Sequence, residues 1–221
     1  MIKSKITAVA AALALVAGSA AAETKVVGQI SASPSAVVIA DSVKTNIGKT
    51  AVPYIQGDVV ATSNDSSATL RLTSGKANFV VSPNTNMQVV NGDAGEIALN
   101  EGAVRVSAST GHPVSITTAA GSFEVSSDSA LDAIVIVRDG EFGVVSNAGD
   151  VFVSSQEGLV SKVPAGEAFS YNGEAEVVDV AVFAPIIASL GVAGAIAAAA
   201  AAIVVIDEVA DDDDDDDGSP N

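Results

Sequence analysis

From about Val26 to Asp179 the chain alternates apolar and polar residues with a period of two, and this pattern limits what it can fold into. Ala68–Thr73 (ATLRLT), Ala103–Ala108 (AVRVSA), Val114–Ala119 (VSITTA) and Ser122–Ser127 (SFEVSS) each place apolar side chains on one face of an extended backbone. Asp132–Val137 (DAIVIV) breaks the alternation with a continuous apolar run, which predicts a strand buried on both faces. Between these segments stand Ser74-Gly75, Asn91-Gly92, Glu101-Gly102, Asp139-Gly140 and Asn172-Gly173. Gly and Asn tolerate the positive φ of tight turns, so each dipeptide is expected to reverse the chain. Strand candidates recur about every nine residues, the spacing of an all-β sandwich, roll or solenoid. The unit length varies over roughly eight to twelve residues, too irregular for a strict repeat. The expected fold is therefore all-β: a compact β-roll or sandwich of a dozen or so short strands, with a short solenoid as the other arrangement. No helical period competes before Val180.

The ends of the chain carry different signals. MIKSKITAVAAALALVAGSAAAETK has a positive start at Lys3 and Lys5, an apolar stretch from Ile6 to Val16, and small residues at Ala20-Ala21-Ala22. These are the parts of a secretory signal peptide over residues 1–22, cleaved after Ala22. The apolar stretch is shorter than the roughly 20 residues that a spanning helix needs. Export into a Gram-negative periplasm is expected, with cell surface or secretion as alternatives. The absence of Cys excludes disulfides, thiolate metal sites and an acylated anchor. A formal charge of −17, with ten scattered Lys and Arg, excludes a nucleic-acid-binding face.

Near the C-terminus, 27 residues from Val180 to Ile206 carry no charge. A helix after Pro185 would cross the roughly 30 Å hydrocarbon core, and Pro185 suits its first turn. Nine Ile, Val or Leu between Ile186 and Ile206 favour insertion by roughly 3 to 5 kcal/mol. Residues 180–206 are thus expected to form a hydrophobic, membrane-spanning helix. Two features favour helix–helix contact instead: no Lys or Arg flanks the tract, and Gly191-xxx-Ala195 and Gly194-xxx-Ala198 form close-packing ridges. The alternative is a helix that docks on other copies or on its own domain. Residues 207–221 follow as an acidic tail, with Asp207, Glu208 and Asp211 to Asp217 supplying nine of the 27 acids. Calcium loops alternate Asp with spacers and turns; this block does neither, and self-repulsion predicts a disordered, solvated tail.

Chemistry is sparse. The single histidine, His112, sits in a Gly-His-Pro turn with no Cys or second His to complete a ligand set or a triad. No G-x-S-x-G elbow, P-loop or dinucleotide fingerprint occurs. Asp128 with Asp132, and Asp139 with Glu141, are the carboxylate pairs a hydrolase would need. Such pairs normally come from separate strands lining an aromatic cleft, and the chain has two Tyr and no Trp. No catalytic, cofactor-binding or metal-binding residue is assigned, no cofactor is expected, and a periplasmic hydrolase is the third reading only.

Gly57-Asp58, Leu70-x-Leu72-x-x-Gly75 and Pro83-Asn84, with Ala165-Gly166-Glu167 further on, lie in three stretches that resemble the FecR domain family. Gly57–Val90 is similar to its opening, with a Gly-Asp entry, an L-x-L-x-x-G turn and a Pro-Asn corner. Ile97–Ser127 is similar to its next section, except that Thr118-Ala119-Ala120-Gly121 stands where the family has Thr-Pro-x-Gly. Ile134–Tyr171 continues with V-x-V-x-x-G and Ala-Gly-Glu elements. The resemblance implies an extracytoplasmic β domain over residues 23–179. In iron-uptake regulators such a domain relays a receptor signal through a membrane helix to a cytoplasmic anti-sigma segment. That segment precedes the helix, where this chain has a cleavable signal, so the sigma-factor role does not carry over. The expected function is a non-enzymatic exported binding or scaffold module, held at the inner membrane through residues 180–206. Its partner would be an unidentified protein or polysaccharide, met through strand edges and turn loops. The alternative is a self-associating surface or matrix protein assembled through the Ala/Gly-rich helix.

Overall fold

The computed structural model describes residues 25–40, 43–156, 158–178 and 180–184. The expected signal peptide, the apolar tract from residue 185 onward and the acidic tail lie outside the described residues. Within them the chain is all-β. Its strands are β1 (Val26–Ser33), β2 (Ala36–Ala40), β3 (Val43–Ile47), β4 (Val52–Ile55), β5 (Val59–Ala61), β6 (Ser67–Leu72), β7 (Ala77–Val81) and β8 (Asn86–Asn91). The long β9 (Glu96–Ala108) follows, then β10 (Val114–Thr118), β11 (Gly121–Ser126), β12 (Leu131–Arg138) and β13 (Glu141–Ser146). Last come β14 (Val151–Ser155), β15 (Val160–Val163), β16 (Ala168–Tyr171), β17 (Ala175–Val178) and a 3-10 turn, Val180–Phe183.

Hydrogen bonding links all 17 strands into one network, folded into two layers that share β9. The first layer runs β4-β1-β6-β7-β9-β12-β13-β16-β17. The second runs β3-β2-β5-β8-β9-β10-β11-β14-β15. All pairings are antiparallel except β9 with β10. The two layers share one apolar core, to which the first gives Ile30, Leu70, Phe79, Val106 and Val135, and the second Val60, Met87, Leu99, Ile116 and Val153. Strands pair within each layer, and β9, paired in both, joins them.

One expected reversal proves to be a crossing. Glu101-Gly102 lies inside β9, where the strand leaves β8 and β10 and joins β7 and β12. Gly102 has φ +97, and a Cβ on it would stand 2.3 Å from Thr85 Oγ1 and 2.5 Å from Thr85 Cα. The corner is packed by two hydroxyls. Thr85 Oγ1 accepts the Ala103 N–H at 3.0 Å, and Thr62 Oγ1 accepts the Thr85 N–H at 2.9 Å. By contrast, Asp139 and Gly140 form the two-residue hairpin expected of them, with φ of 52 and 83.

β12 has apolar residues on both faces for a visible reason. Ala133, Val135 and Val137 enter the shared core, while Ile134 and Ile136 face outward into a second, smaller cluster with Ala103, Val145, Ala168 and Phe183. Val180–Phe183, expected to begin the apolar helix, is one 3-10 turn folded back onto this outer face.

Candidate functional site

The outer face of the second layer carries a groove of about 400 Å³ across β9, β10, β11 and β14. Pairing sets its floor as rows of side chains, because partners in register point to the same side of a sheet. Glu96 lies beside Ser115, Ser115 beside Glu124, and Glu124 beside Ser154. The next row holds Ala98, Thr117 and Ser122, with Gln156 also lining the groove. Thr117 Oγ1 and Ser122 Oγ are 3.3 Å apart. The two carboxylates are separated by two strand spacings, about 10 Å. Neither forms an ion pair within the described residues, whereas Asp93, Asp132, Asp139 and Asp150 each do.

At one end the groove meets a smaller cleft of about 120 Å³, lined by Ala120, Gly121, Ser122, Phe123, Ser155, Gln156 and Tyr171. Its wall is an aromatic cluster joining the layers. Phe123 of β11 stacks on Phe142 of β13 with centroids 3.9 Å apart and planes 5° from parallel. Tyr171 of β16 meets Phe123 edge-on at 5.3 Å. Each such pair contributes about 0.5–1.5 kcal/mol beyond its burial. The arrangement presents hydroxyls, amides, two carboxylates and one aromatic edge. It can take hydrogen-bonding, cationic chain segments.

The carboxylate pairs considered from sequence are not brought together. Asp132 accepts two hydrogen bonds from Arg105, at 2.8 Å from Nε and 2.6 Å from an Nη, and a third from Asn147 at 3.0 Å. The Arg105 hydrogen bonds hold its carboxyl below the usual aspartate range. Asp128 is exposed in the bend before β12. Asp139 is exposed in the hairpin and contacts Arg138 at 3.5 Å, whereas Glu141 accepts from Ser170 on the outer face of the first layer. His112 is exposed in the turn between β9 and β10. Among the described residues, no three His, Cys, Asp or Glu are grouped to hold a metal ion, and no helix is long and apolar enough to cross a membrane.

The open edges are guarded against strand addition. β3 carries Lys44 and β15 carries Lys162, β4 contains Pro53, which removes an N–H donor, and β17 carries Glu176. Lys162 is tied to Asp150 at 2.7 Å, and that hydrogen bond raises its pKa.

Sequence reasoning missed the groove. The alternation in VSITT and SFEVS does place Ser115, Thr117, Ser122 and Glu124 on the polar side, but not beside Glu96 or Ser154. No protein-family model and no curated protein sequence matches the chain. Among solved structures it is similar to an anti-sigma factor candidate from Parabacteroides distasonis, determined at 1.65 Å and again at 2.50 Å. In both, identity is 16% and the TM-score 0.42, over 54% of this chain. The chain spans 57% of that protein's length.

Proposed function

We propose that this chain is an exported, non-enzymatic binding module with a FecR-like β domain, tethered to the inner membrane by its C-terminal apolar tract. It recognises an extended, basic protein segment on the outer face of its second layer. The observation that carries the reading is the groove: a row of Glu96, Ser115, Glu124 and Ser154 whose carboxylates have no cation within the described residues. The guards on β3, β4, β15 and β17 move recognition from the strand edges to this face.

The tether draws support from the surface of the domain. Exposed large apolar side chains among the described residues are Val26, Val43, Val80, Val90 and Val160, on five different strands. An outward group of Val37 and Ile39 on β2 with Val59 and Ala61 on β5 offers four partly shielded side chains. Neither set matches the nine Ile, Val and Leu after Pro185. Burial of that tract therefore calls for a membrane or for other copies rather than for this domain. The Gly191 and Gly194 ridges keep self-association as the second reading.

Two measurements test the proposal. In a Gram-negative host the full chain is expected in the detergent-soluble membrane fraction, and its release by osmotic shock alone would refute the tether. An oligolysine peptide, titrated against protein whose tail aspartates are changed to Asn, is expected to bind with salt dependence. Binding is expected to weaken at least ten-fold in Glu96→Gln/Glu124→Gln; equal binding by that variant would refute the groove.

A further inference from the structure

Phe183 is buried to 4% exposure on the outside of the first layer, away from the main core. It rests on Gly143, where a Cβ would stand 2.7 Å from Phe183 Cζ and 2.8 Å from Cε1. Gly143 lies within β13 and its φ is not positive, so the glycine is needed for room and not for a turn. Ala103, Ile134, Ile136, Val145 and Ala168 complete the seat of the ring.

The same two strands build the cleft from their other side. β13 and β16 pair Phe142 with Tyr171, Gly143 with Ser170, Val144 with Phe169 and Val145 with Ala168. Alternation sends Gly143, Val145 and Ala168 outward beneath Phe183, and Phe142, Phe169 and Tyr171 inward toward Phe123. β16 has four residues and is flanked by β13 and the four-residue β17. A single short strand thus has the Val180–Phe183 turn on one face and the wall of the cleft on the other.

We propose that Val180–Phe183 is a strap whose seating sets the width of the Phe123–Tyr171 cleft. It couples the C-terminal segment of the chain to the recognition face. This regulation rests on reading the groove and cleft as the binding site. With Phe183 seated on Gly143, β16 is held against the core and Tyr171 meets Phe123 edge-on. When load on the continuing chain lifts Phe183, the outer support of β16 is lost. Close-packed layers pass such shifts on rather than absorb them, so Tyr171 moves off Phe123 and the cleft widens. Coupling of this kind is reciprocal: a partner that prefers one cleft width biases the strap by the same factor.

Hydrogen exchange on the full chain in mild detergent tests this without any partner. In Phe183→Ala, amides of β16 and those of β11 around Phe123 are expected to exchange at least ten-fold faster, with β1 and β6 unchanged. Phe183→Leu should restore most of the protection, and Gly143→Ala, which crowds the ring from beneath, should reproduce the effect. Acceleration confined to residues 175–184 would overturn the coupling, since the turn would then be a local cap. A uniform rise in every strand would overturn it too, because Phe183 would then be ordinary core. If Phe183→Ala does not fold, Gly143→Ala carries the same comparison. The readout uses no ligand, so failure of oligolysine to bind the groove refutes the recognition reading and leaves the exchange result to be judged separately.

Discussion

Replacing Gly102 by Ala should destabilise the domain more than replacing Gly140, although both glycines have positive φ. At Gly102, φ is +97, and a left-handed conformation costs an L-residue about 1–2 kcal/mol. The new methyl would also stand 2.3 Å from Thr85 Oγ1, 2.5 Å from Thr85 Cα and 2.7 Å from Asn84 O. Two of these three atoms are backbone, so a rotamer change does not relieve the overlap. Thr85 must move, and its hydroxyl then gives up the Ala103 N–H it accepts at 3.0 Å. Ala103 is 2% exposed, so its amide is left buried without a partner, at about 1–3 kcal/mol. The sum is about 2–5 kcal/mol. For a chain of this size that corresponds to a fall in Tm of roughly 4–20 °C. Gly140 has φ +83 and nothing within 4 Å of its Cβ position, so only the conformational cost of about 1–2 kcal/mol applies. Urea denaturation of the two variants beside the parent chain measures the difference directly, provided the slopes agree. If the two variants fall within about 0.5 kcal/mol of each other, the corner yields freely and the reasoning about Thr85 is wrong.

Two further outcomes follow from the polar contacts. Because Arg105 depresses the folded pKa of Asp132, the stability it adds is present above the unfolded aspartate value near 3.9 and is lost as pH falls through the folded one. Denaturation midpoints of the parent and Asp132→Asn should therefore differ at neutral pH and converge in acid; a constant gap would refute the assignment. Tyr54 donates its hydroxyl to the Asp58 carbonyl and accepts the Val89 N–H at 3.2 Å, joining β4 to β8 across the layers. Burial raises its pKa, so its stabilising effect is present below the ordinary tyrosine value near 10 and is lost as pH rises beyond it. Tyr54→Phe should cost about 1–3 kcal/mol by leaving the Val89 amide unpaired; no loss in chemical denaturation would remove this link between the layers.

The strands were legible because alternation is a local property. Ala68–Thr73 became β6 within a residue at either end, and the apolar run Asp132–Val137 became a strand buried on both faces. The same local signal failed at Glu101-Gly102. A positive φ at glycine serves a hairpin and a layer crossing equally well, and only the packing of Thr85 against the site distinguishes them. Asp139 and Glu141 looked like neighbours because they stand two positions apart. Their positions depended on where the hairpin began, and β13 starts at Glu141, leaving Asp139 in the turn.

What the sequence determined by itself was held within a few residues: extended segments, their inward and outward faces, and turns such as Asp139-Gly140. Tertiary structure alone decided which polar faces became neighbours. Glu96 and Glu124 flank Ser115 only because β9 and β10 pair in parallel while β10 and β11 pair antiparallel. Ser154 joins them through a pairing 30 residues away in sequence. It also decided that a glycine inside β13 makes room for Phe183, 40 residues later. The physical reason is that periodicity tells each strand which side to bury, whereas register and layer contacts come from packing between segments distant in the chain.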